Sequence, residues 1–376
     1  MTWNWERKDW PQFSYNTNRL AAYEKQFVHN AGLMGGSMRH ISTPDQETLT
    51  IELISNEAYK TSEIEGELLD RESLQSSIKK NFGLKSDQKK IPFAEQGIAE
   101  MMVDLYQQYQ NPLDHTRLFK WHKMLTKGRR DLKNIGAYRT HEEPMQIVSG
   151  AIYKPKIHYE APPSKKVQKE MDRFIEWFNQ TGPQGKLPLD ALIRAGIAHL
   201  YFESIHPFED GNGRIGRAIS EKALSESLGR PTLIAISYTI ESEKKEYYSA
   251  LERNSKSMEV TDWMIYFCEM ILRAQHHTQS MIDFTIEKSK FYHRFANTLN
   301  ERQAQVIKRI FREGIKGFEG GLSANNYIKI TGTTASTATR DLQDLVEQGA
   351  LIKIGERKGT RYYLNIDHGS VKGMSS

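Results

Sequence analysis

The sequence predicts a mainly α-helical protein with one short β-hairpin inside the helical part and a smaller helix-and-strand module at its end. Three observations carry this prediction. Apolar residues recur at helical spacing over most of the chain to about residue 292, as in Leu189, Leu192, Ile193, Gly196, Ile197, Leu200 and Tyr201, and again from Trp263 to Leu272. The stretch 138–163 breaks that pattern with Pro, Gly, Tyr and His and with alternation in Gln146-Ile-Val-Ser and Ala151-Ile-Tyr, so it reads as a hairpin with Gly150 as its turn residue. After about Asn297 the helical runs shorten and give way to two strand-like stretches flanking Arg357-Lys-Gly-Thr-Arg361.

Bulk properties bound the function. The chain has 376 residues, 38% hydrophobic and 26% charged, an ordinary globular composition with material for two or three domains. No run approaches the roughly 20 apolar residues of a membrane helix. The opening Met-Thr-Trp-Asn-Trp-Glu-Arg is not a signal peptide. A cytoplasmic protein with no membrane partner is expected. The single cysteine, Cys268, excludes an intrachain disulfide and a thiolate metal cluster, and its apolar neighbours predict packing. A net charge of +5 permits phosphate or nucleic-acid partners without requiring them.

Taken in order, Trp3, Trp5 and Trp10 open the chain in an aromatic stretch that reads as packing, with helical residues after it. A long helix ends near Ile205 at His206-Pro207, where proline favours a chain break. Asp210-Gly-Asn-Gly213 follows as a tight polar loop, and a new helix starts around Arg214 with Ile215, Ile219 and Leu228 as core positions. Beyond residue 297, helices are predicted at Glu301 to Glu313, Ser323 to Thr331 and Thr333 to Gln348, the last capped by Gly349. Two strands lie within Leu351 to Leu364, and residues 367–376 read as a frayed tail.

The loop after His206 concentrates chemistry. Glycines opening a helix make an anion site, because backbone N–H groups and the helix dipole face the ligand and the missing side chains of Gly211 and Gly213 admit phosphate. Arg214 and Arg217, three apart, add two guanidinium forks on one face. Asp210 supplies the hard oxygen that Mg²⁺ prefers. His206, one loop away, suits proton acceptance from a hydroxyl. The combination reads as nucleotidyl or phosphoryl transfer.

At every specified position, His206-Pro-Phe-Glu-Asp-Gly-Asn-Gly-Arg-Ile-Gly-Arg217 resembles the Fic motif. The resemblance implies a Fic helical bundle with a β-hairpin flap and a protein adenylyltransferase activity. ATP would be the donor, Mg²⁺ the cofactor, and a Ser, Thr or Tyr hydroxyl of a target protein the acceptor. It makes His206 the general base and Asp210 the metal ligand. Gly211, Asn212 and Gly213 would hold the α- and β-phosphates, with Ile215 and Gly216 in the same ATP-binding run, while Arg214 meets the β-phosphate and Arg217 the γ-phosphate. The intact glycines and arginines carry no sign of the altered motif of phosphorylating relatives. In the flap, Val148, Ser149, Gly150 and Ala151 are candidates near the nucleotide, and a target segment would pair with the flap by strand addition. Tyr248, with Tyr247 and Asn254 beside it, matches a family position next to the nucleotide.

Upstream, Thr61-Ser-Glu-Ile-Glu65-Gly66 resembles the inhibitory motif of Fic proteins. On a helix, positions 61 and 65 share a face. The resemblance makes Glu65 the partner of Arg217 and the chain self-inhibited. The competing reading is a solvated acidic face formed by Glu63, Glu65 and Glu67. In some relatives the same glutamate helps water remove AMP, and the sequence leaves the direction open.

The resemblance divides the chain into an N-terminal domain, 1–95, carrying the inhibitory motif 61–66, a Fic domain, 96–292, carrying the motif 206–217, and a module at 297–366 that resembles a winged helix-turn-helix. In that module the third helix, Thr334 to Gln348, would offer Thr337, Thr339 and Arg340 to DNA bases and Lys358 or Arg361 to phosphates. Asp341, Asp344 and Glu347 on the same helix argue against DNA, and protein contact is the alternative. His122, His199, His276 and His277 lack zinc spacing and read as structural. A homodimer is left open. The runner-up function is a nucleotide-sensing DNA-binding regulator with little catalysis; a toxin inhibited in trans is a third reading, opposed by the motif at 61–66.

Overall fold

The computed structural model describes the chain except Met1, residues 87–89, 152–153, Lys316, Glu319 and residues 367–376. The expected tail therefore lies outside the described residues. Helices dominate, in the order α1 (Thr17–Arg39), α2 (Thr43–Ile64), α3 (Arg71–Asn81), α4 (Phe93–Gln108) and α5 (His115–Leu125). A hairpin of β1 (Gln146–Ala151) and β2 (Lys154–Glu160) precedes α6 (Ser164–Gln180), α7 (Ala191–Ile205), α8 (Asn212–Leu228), α9 (Ile236–Ser242), α10 (Lys244–Asn254) and α11 (Thr261–Phe295). The chain ends in α12 (Glu301–Arg312), α13 (Ala324–Thr331), α14 (Ala335–Glu347), β3 (Leu351–Ile354) and β4 (Arg361–Leu364). Two compact units result, one from Met1–Leu33 with Thr50–Thr278, the other from Met34–Leu49 with Gln279–Ser376.

The first unit is built around α7. Every residue from Ala191 to Ile205 is buried, because a helix with apolar residues on every side is stable only when surrounded. Leu189, expected on this helix, precedes it and is half-buried, with Asp190 at the N-cap. Its neighbour α8 starts at Asn212, two positions before the expected Arg214, and buries Ile215, Ile219 and Leu224 completely. Leu228, expected in the core, is half-buried at the helix end. Two of the charged or titratable groups inside this core are held by named partners. Arg194 Nη2 donates to Glu226 at 2.5 Å and to the Phe178 carbonyl at 2.9 Å. His199 is bonded to Ser220 Oγ at 3.0 Å and Tyr247 Oη at 2.7 Å, and burial lowers its pKa so that the ring stays neutral. Cys268 is buried, and burial pushes its thiol pKa up.

The N-terminal tryptophans pack as expected. Trp3 stands edge-on to Tyr159 at 5.2 Å, Trp5 Nε1 donates to the Glu160 carbonyl at 2.7 Å, and Trp10 Nε1 donates to Glu170 at 2.8 Å. They brace β2 and α6. The hairpin is antiparallel with a bulge between Ile147 and Val148. Gly150 is not its turn: it lies within β1 opposite Pro155 at φ 93°, and the connection falls at 152–153, outside the described residues. His158 in β2 bonds Ser149 in β1 at 2.6 Å and Glu252 in α10 at 2.7 Å, which ties the hairpin down.

Two acids buried in this unit set a pH dependence. Glu57 of α2 accepts the Ser237 N–H at 2.8 and 2.9 Å, and burial raises its pKa from an ordinary 4.5 to about 7. Burial, reinforced by Glu57, raises Glu221 of α8 as well. The folded state therefore holds protons that the unfolded chain has lost, and this contribution, full below pH 4.5, disappears as pH rises through about 7. Glu57→Gln is expected to gain thermal stability relative to wild type between pH 5 and pH 8, read as melting temperature at both; at this size about 1 kcal/mol moves it by roughly 2–4 °C.

The second unit holds the three short helices and two strands expected after residue 297, packed on Val306, Ile307, Leu342, Leu345 and Leu351. The acids of α14 are not one outward face. Asp341 is buried, accepting from Arg302 Nε at 2.8 Å and Tyr327 Oη at 3.0 Å, and Asp344 accepts from Gln303 at 2.6 Å. Of the three only Glu347 is exposed. No helix among the described residues is long and apolar enough to cross a membrane.

Candidate active site

His206 closes α7 in a left-handed conformation, φ 48° and ψ 60°, with its N–H on the Phe202 carbonyl at 2.9 Å. Few side chains adopt this backbone, and it persists where the surroundings enforce it. Arg139 does the enforcing. Its Nε donates to the His206 carbonyl at 2.8 Å, Nη2 to the Pro162 carbonyl at 2.5 Å and Nη1 to Ser164 Oγ at 2.9 Å, while its own N–H meets the Pro207 carbonyl at 3.0 Å. Burial lowers its pKa to about 10. Sequence reasoning missed Arg139, since nothing local distinguishes it from other surface-type arginines.

The following loop is closed by Asn212, whose Oδ1 accepts from the Phe208 N–H at 2.9 Å and whose Nδ2 donates to the Phe208 carbonyl at 2.8 Å. The side-chain amide of Asn212, a residue expected among the ligand-binding groups, thus braces the loop. Phe208 stacks on His122 at 4.3 Å; burial lowers the His122 pKa to about 4, and its Nδ1 accepts the Gly136 N–H at 2.9 Å. His122 is structural.

Both motif arginines are nearly buried and both are engaged. Arg217, 3% exposed, donates from Nε to Thr61 Oγ1 at 2.8 Å and from Nη2 to the Thr61 carbonyl at 3.0 Å and Glu65 Oε1 at 2.7 Å. Arg214, 5% exposed, pairs with Glu67 at 2.6 Å and approaches Asp210 at 3.7 Å. Helix α2 ends at Ile64, so Glu65 stands just past it in the turn that Gly66 completes at φ 83°. The acidic cluster is thus three separate pairs, because Glu63 goes to Lys60 at 2.5 Å. Asp210 is held by Arg129 at 2.6 Å; burial opposes its ionisation, but Arg214 and Arg129 outweigh that and keep its pKa below the usual range. Glu67 and Arg129 were not anticipated; Glu67 had been grouped with the solvated acids.

A cavity of about 710 Å³, the size of small-molecule sites, is lined by His206, Gly213, Arg217 and Glu65 on one side and by Val148, Ser149, Tyr247 and Tyr248 on the other. Glu203, one turn before His206 on α7, joins the lining. Tyr248 is 39% exposed and Tyr247 is buried with its hydroxyl on His199. Asn254 is turned away, donating to the Ala250 carbonyl at 2.9 Å. Ile215 points into the core, and Gly150, Gly211, Gly216, Asp210 and Arg214 are not among the lining residues. The Ala151 side chain lies outside the described residues. A Cβ built on Gly213 would collide with Glu65 Oε1, so the carboxylate occupies the space that the glycine leaves open.

Asp210 suits a Mg²⁺ shared with phosphate: a single carboxylate, its side chain 36% exposed at the helix entrance, is the donor set this ion takes when phosphates and waters complete its shell. Among the described residues, no group of three or more His, Cys, Asp or Glu could hold a metal without such a ligand.

Comparison with known proteins matches residues 112–224 to the Fic/DOC family and residues 3–84 to a domain of unknown function, DUF4172. Protein adenylyltransferase fic-1 of Caenorhabditis elegans is 29% identical over 85 residues, 23% of this chain and 15% of that protein. A probable protein adenylyltransferase of Aquifex aeolicus is 25% identical over 155 residues, 41% of each chain. These matches span less than half of either relative. The crystal structure of a Fic family protein from Desulfovibrio desulfuricans shares the fold, with a TM-score of 0.54 at 20% identity over 94% of this chain and 98% of that one. The motif, the helical fold around it and these matches agree that the chain carries a Fic/DOC family domain.

Proposed function

We propose that this chain is a protein adenylyltransferase that moves AMP from ATP to a hydroxyl of a target protein and restrains itself through Glu65. The observation that carries the reading is the placing of His206 and Arg217 on one cavity, with Glu65 bonded to Arg217 inside it. The names of the relatives from Caenorhabditis elegans and Aquifex aeolicus support it.

In this reading the phosphates lie at the start of α8, where first-turn amides and the helix dipole favour negative charge. Arg214 and Arg217 take the outer phosphates, and Tyr248 and the β1 residues border the remainder of the nucleotide. Asp210 would hold Mg²⁺, which when bound spreads the phosphate charge. The target hydroxyl oxygen bonds to the α-phosphorus, the bond from that phosphorus to the bridging oxygen breaks, pyrophosphate leaves and His206 takes the hydroxyl proton. While Glu65 holds Arg217, the γ-phosphate lacks its cation and ATP sits unproductively. With the AMP-modified target in the site instead of ATP, water would bond to the same phosphorus, the target oxygen would leave and take up a proton, and free AMP would be released, which a chase of labelled target with ATP withheld would reveal as loss of label.

The test is incorporation of ATP labelled at the α or the γ position into protein by the Glu65→Gly chain. Label from α alone supports AMP transfer; label from γ means phosphorylation and ends this reading. Because Glu67 occupies Arg214 as Glu65 occupies Arg217, Glu67→Ala is expected to raise transfer about 3- to 10-fold, less than Glu65→Gly, since a half-exposed pair is worth about 1 kcal/mol or less. Equal rates for wild type and Glu67→Ala in the same assay would remove Glu67 from the brake.

A second reading concerns the C-terminal unit, where Asp341 and Asp344 are consumed internally and Thr339 and Arg340 are exposed on α14. DNA binding there predicts salt-dependent anisotropy with duplex DNA that Arg340→Ala weakens.

A further inference from the structure

Glu203 and His206 lie one turn apart at the end of α7, with side-chain exposures of 10% and 13% and 3.6 Å between Oε2 and Nδ1. Nδ1 of the histidine is buried without a hydrogen-bond partner, and so is Oε1 of the glutamate. Space for the carboxylate comes from α8: a Cβ on Gly216 would stand 2.5 Å from Glu203 Oε1, so a larger residue there would displace it. Burial opposes ionisation of Glu203, yet the neighbouring His206 and the Arg217 charge hold its pKa below the usual range. A buried carboxylate kept charged has a partner to serve, because unpaired it would take up a proton. The spacing of 3.6 Å is longer than a hydrogen bond, as catalytic contacts often are before the substrate arrives.

We propose that Glu203 is the positioning residue for His206: it accepts the Nδ1 proton and so leaves Nε2 as the basic nitrogen presented to the cavity. The left-handed backbone of His206 is pinned by Arg139, and the ring stands beside this carboxylate. When His206 gains the hydroxyl proton at Nε2, the imidazolium forms beside a fixed negative charge. This role rests on the adenylyltransferase reading, whereas the tautomer it fixes is a property of the free protein.

The experiment uses full-length chain carrying Glu65→Gly, with Glu203→Gln or Glu203→Asp added. Expected for Glu203→Gln is a fall in kcat on the order of 10²-fold, the lower end of what a general base supplies, with KM for ATP unchanged. Glu203→Asp keeps the charge and should recover a substantial part of the loss. In ¹⁵N-histidine spectra, with the His206 signal assigned by its absence in His206→Ala, the parent should show the Nδ1–H tautomer and Glu203→Gln a mixture. An unchanged kcat in Glu203→Gln, no recovery in Glu203→Asp, or an unmoved tautomer would overturn the assignment. A parent that transfers no AMP would defeat the activity reading alone, and the spectra would still judge Glu203.

Discussion

Glu65→Gly is expected to raise AMP transfer roughly 10- to 100-fold, within the range spanned by coupling energies of about 1–3 kcal/mol. The change removes the carboxylate 2.7 Å from Arg217 and clears the space beside Gly213. Arg217 does not swing free, because Thr61 still accepts from its Nε and Nη2, so the guanidinium stays where a phosphate would meet it. A side effect is predicted from the same geometry. Burial disfavours the Arg217 charge and Glu65 is foremost among the groups that sustain it, so the variant should melt earlier than wild type and be restored by Mg-ATP through ligand binding to the folded state. Initial rates with α-labelled ATP and melting curves with and without nucleotide check both; a rate no higher than wild type would remove Glu65 from the restraint.

In that released background, His206→Asn is expected to lower transfer by about 10²- to 10⁴-fold, the usual contribution of a general base, while ATP binding is retained. Asparagine is the informative choice because it tolerates the left-handed backbone at φ 48°, whereas alanine there adds strain to the loss of the base. The turn is held by Arg139 through main-chain carbonyls of His206 and Pro162, so it survives the change of side chain. Titration calorimetry for nucleotide affinity and α-label incorporation separate binding from chemistry; transfer within the range of the Glu65→Gly parent would exclude His206 as the base.

The run from His206 to Arg217 was legible because its members are neighbours in sequence, and a helix end followed by a glycine loop fixes how neighbours are presented. The helical character of the chain was legible for a similar reason, since spacing distinguishes helix from hairpin, whereas the bundle itself came from the resemblance. What stayed hidden came from far away along the chain. Arg139 reaches His206 across 67 residues, Arg129 reaches Asp210 across 81 and Glu67 reaches Arg214 across 147, and no local pattern encodes such a meeting. Glu65 was accessible only through the resemblance of residues 61–66. Faces were also hard to read: Asp341 and Asp344 looked solvated because helical period gives the angle between residues but not which side meets the core. Gly150 misled because glycine at positive φ also occurs inside a strand, here paired with Pro155.

The two sides of the Glu65–Arg217 pair come from different kinds of element. Arg214 and Arg217 rise from α8, whose Ile215, Ile219 and Leu224 are sealed in the core, while Glu65 and Glu67 sit in the short connection between Ile64 and Arg71. In the proposed reading the phosphate seat is thus carried by a core helix and the restraint by a connection laid against it. On that reading, a signal that moves residues 65–70 releases Arg217 without altering α8, so control and chemistry reside in separate segments of the chain.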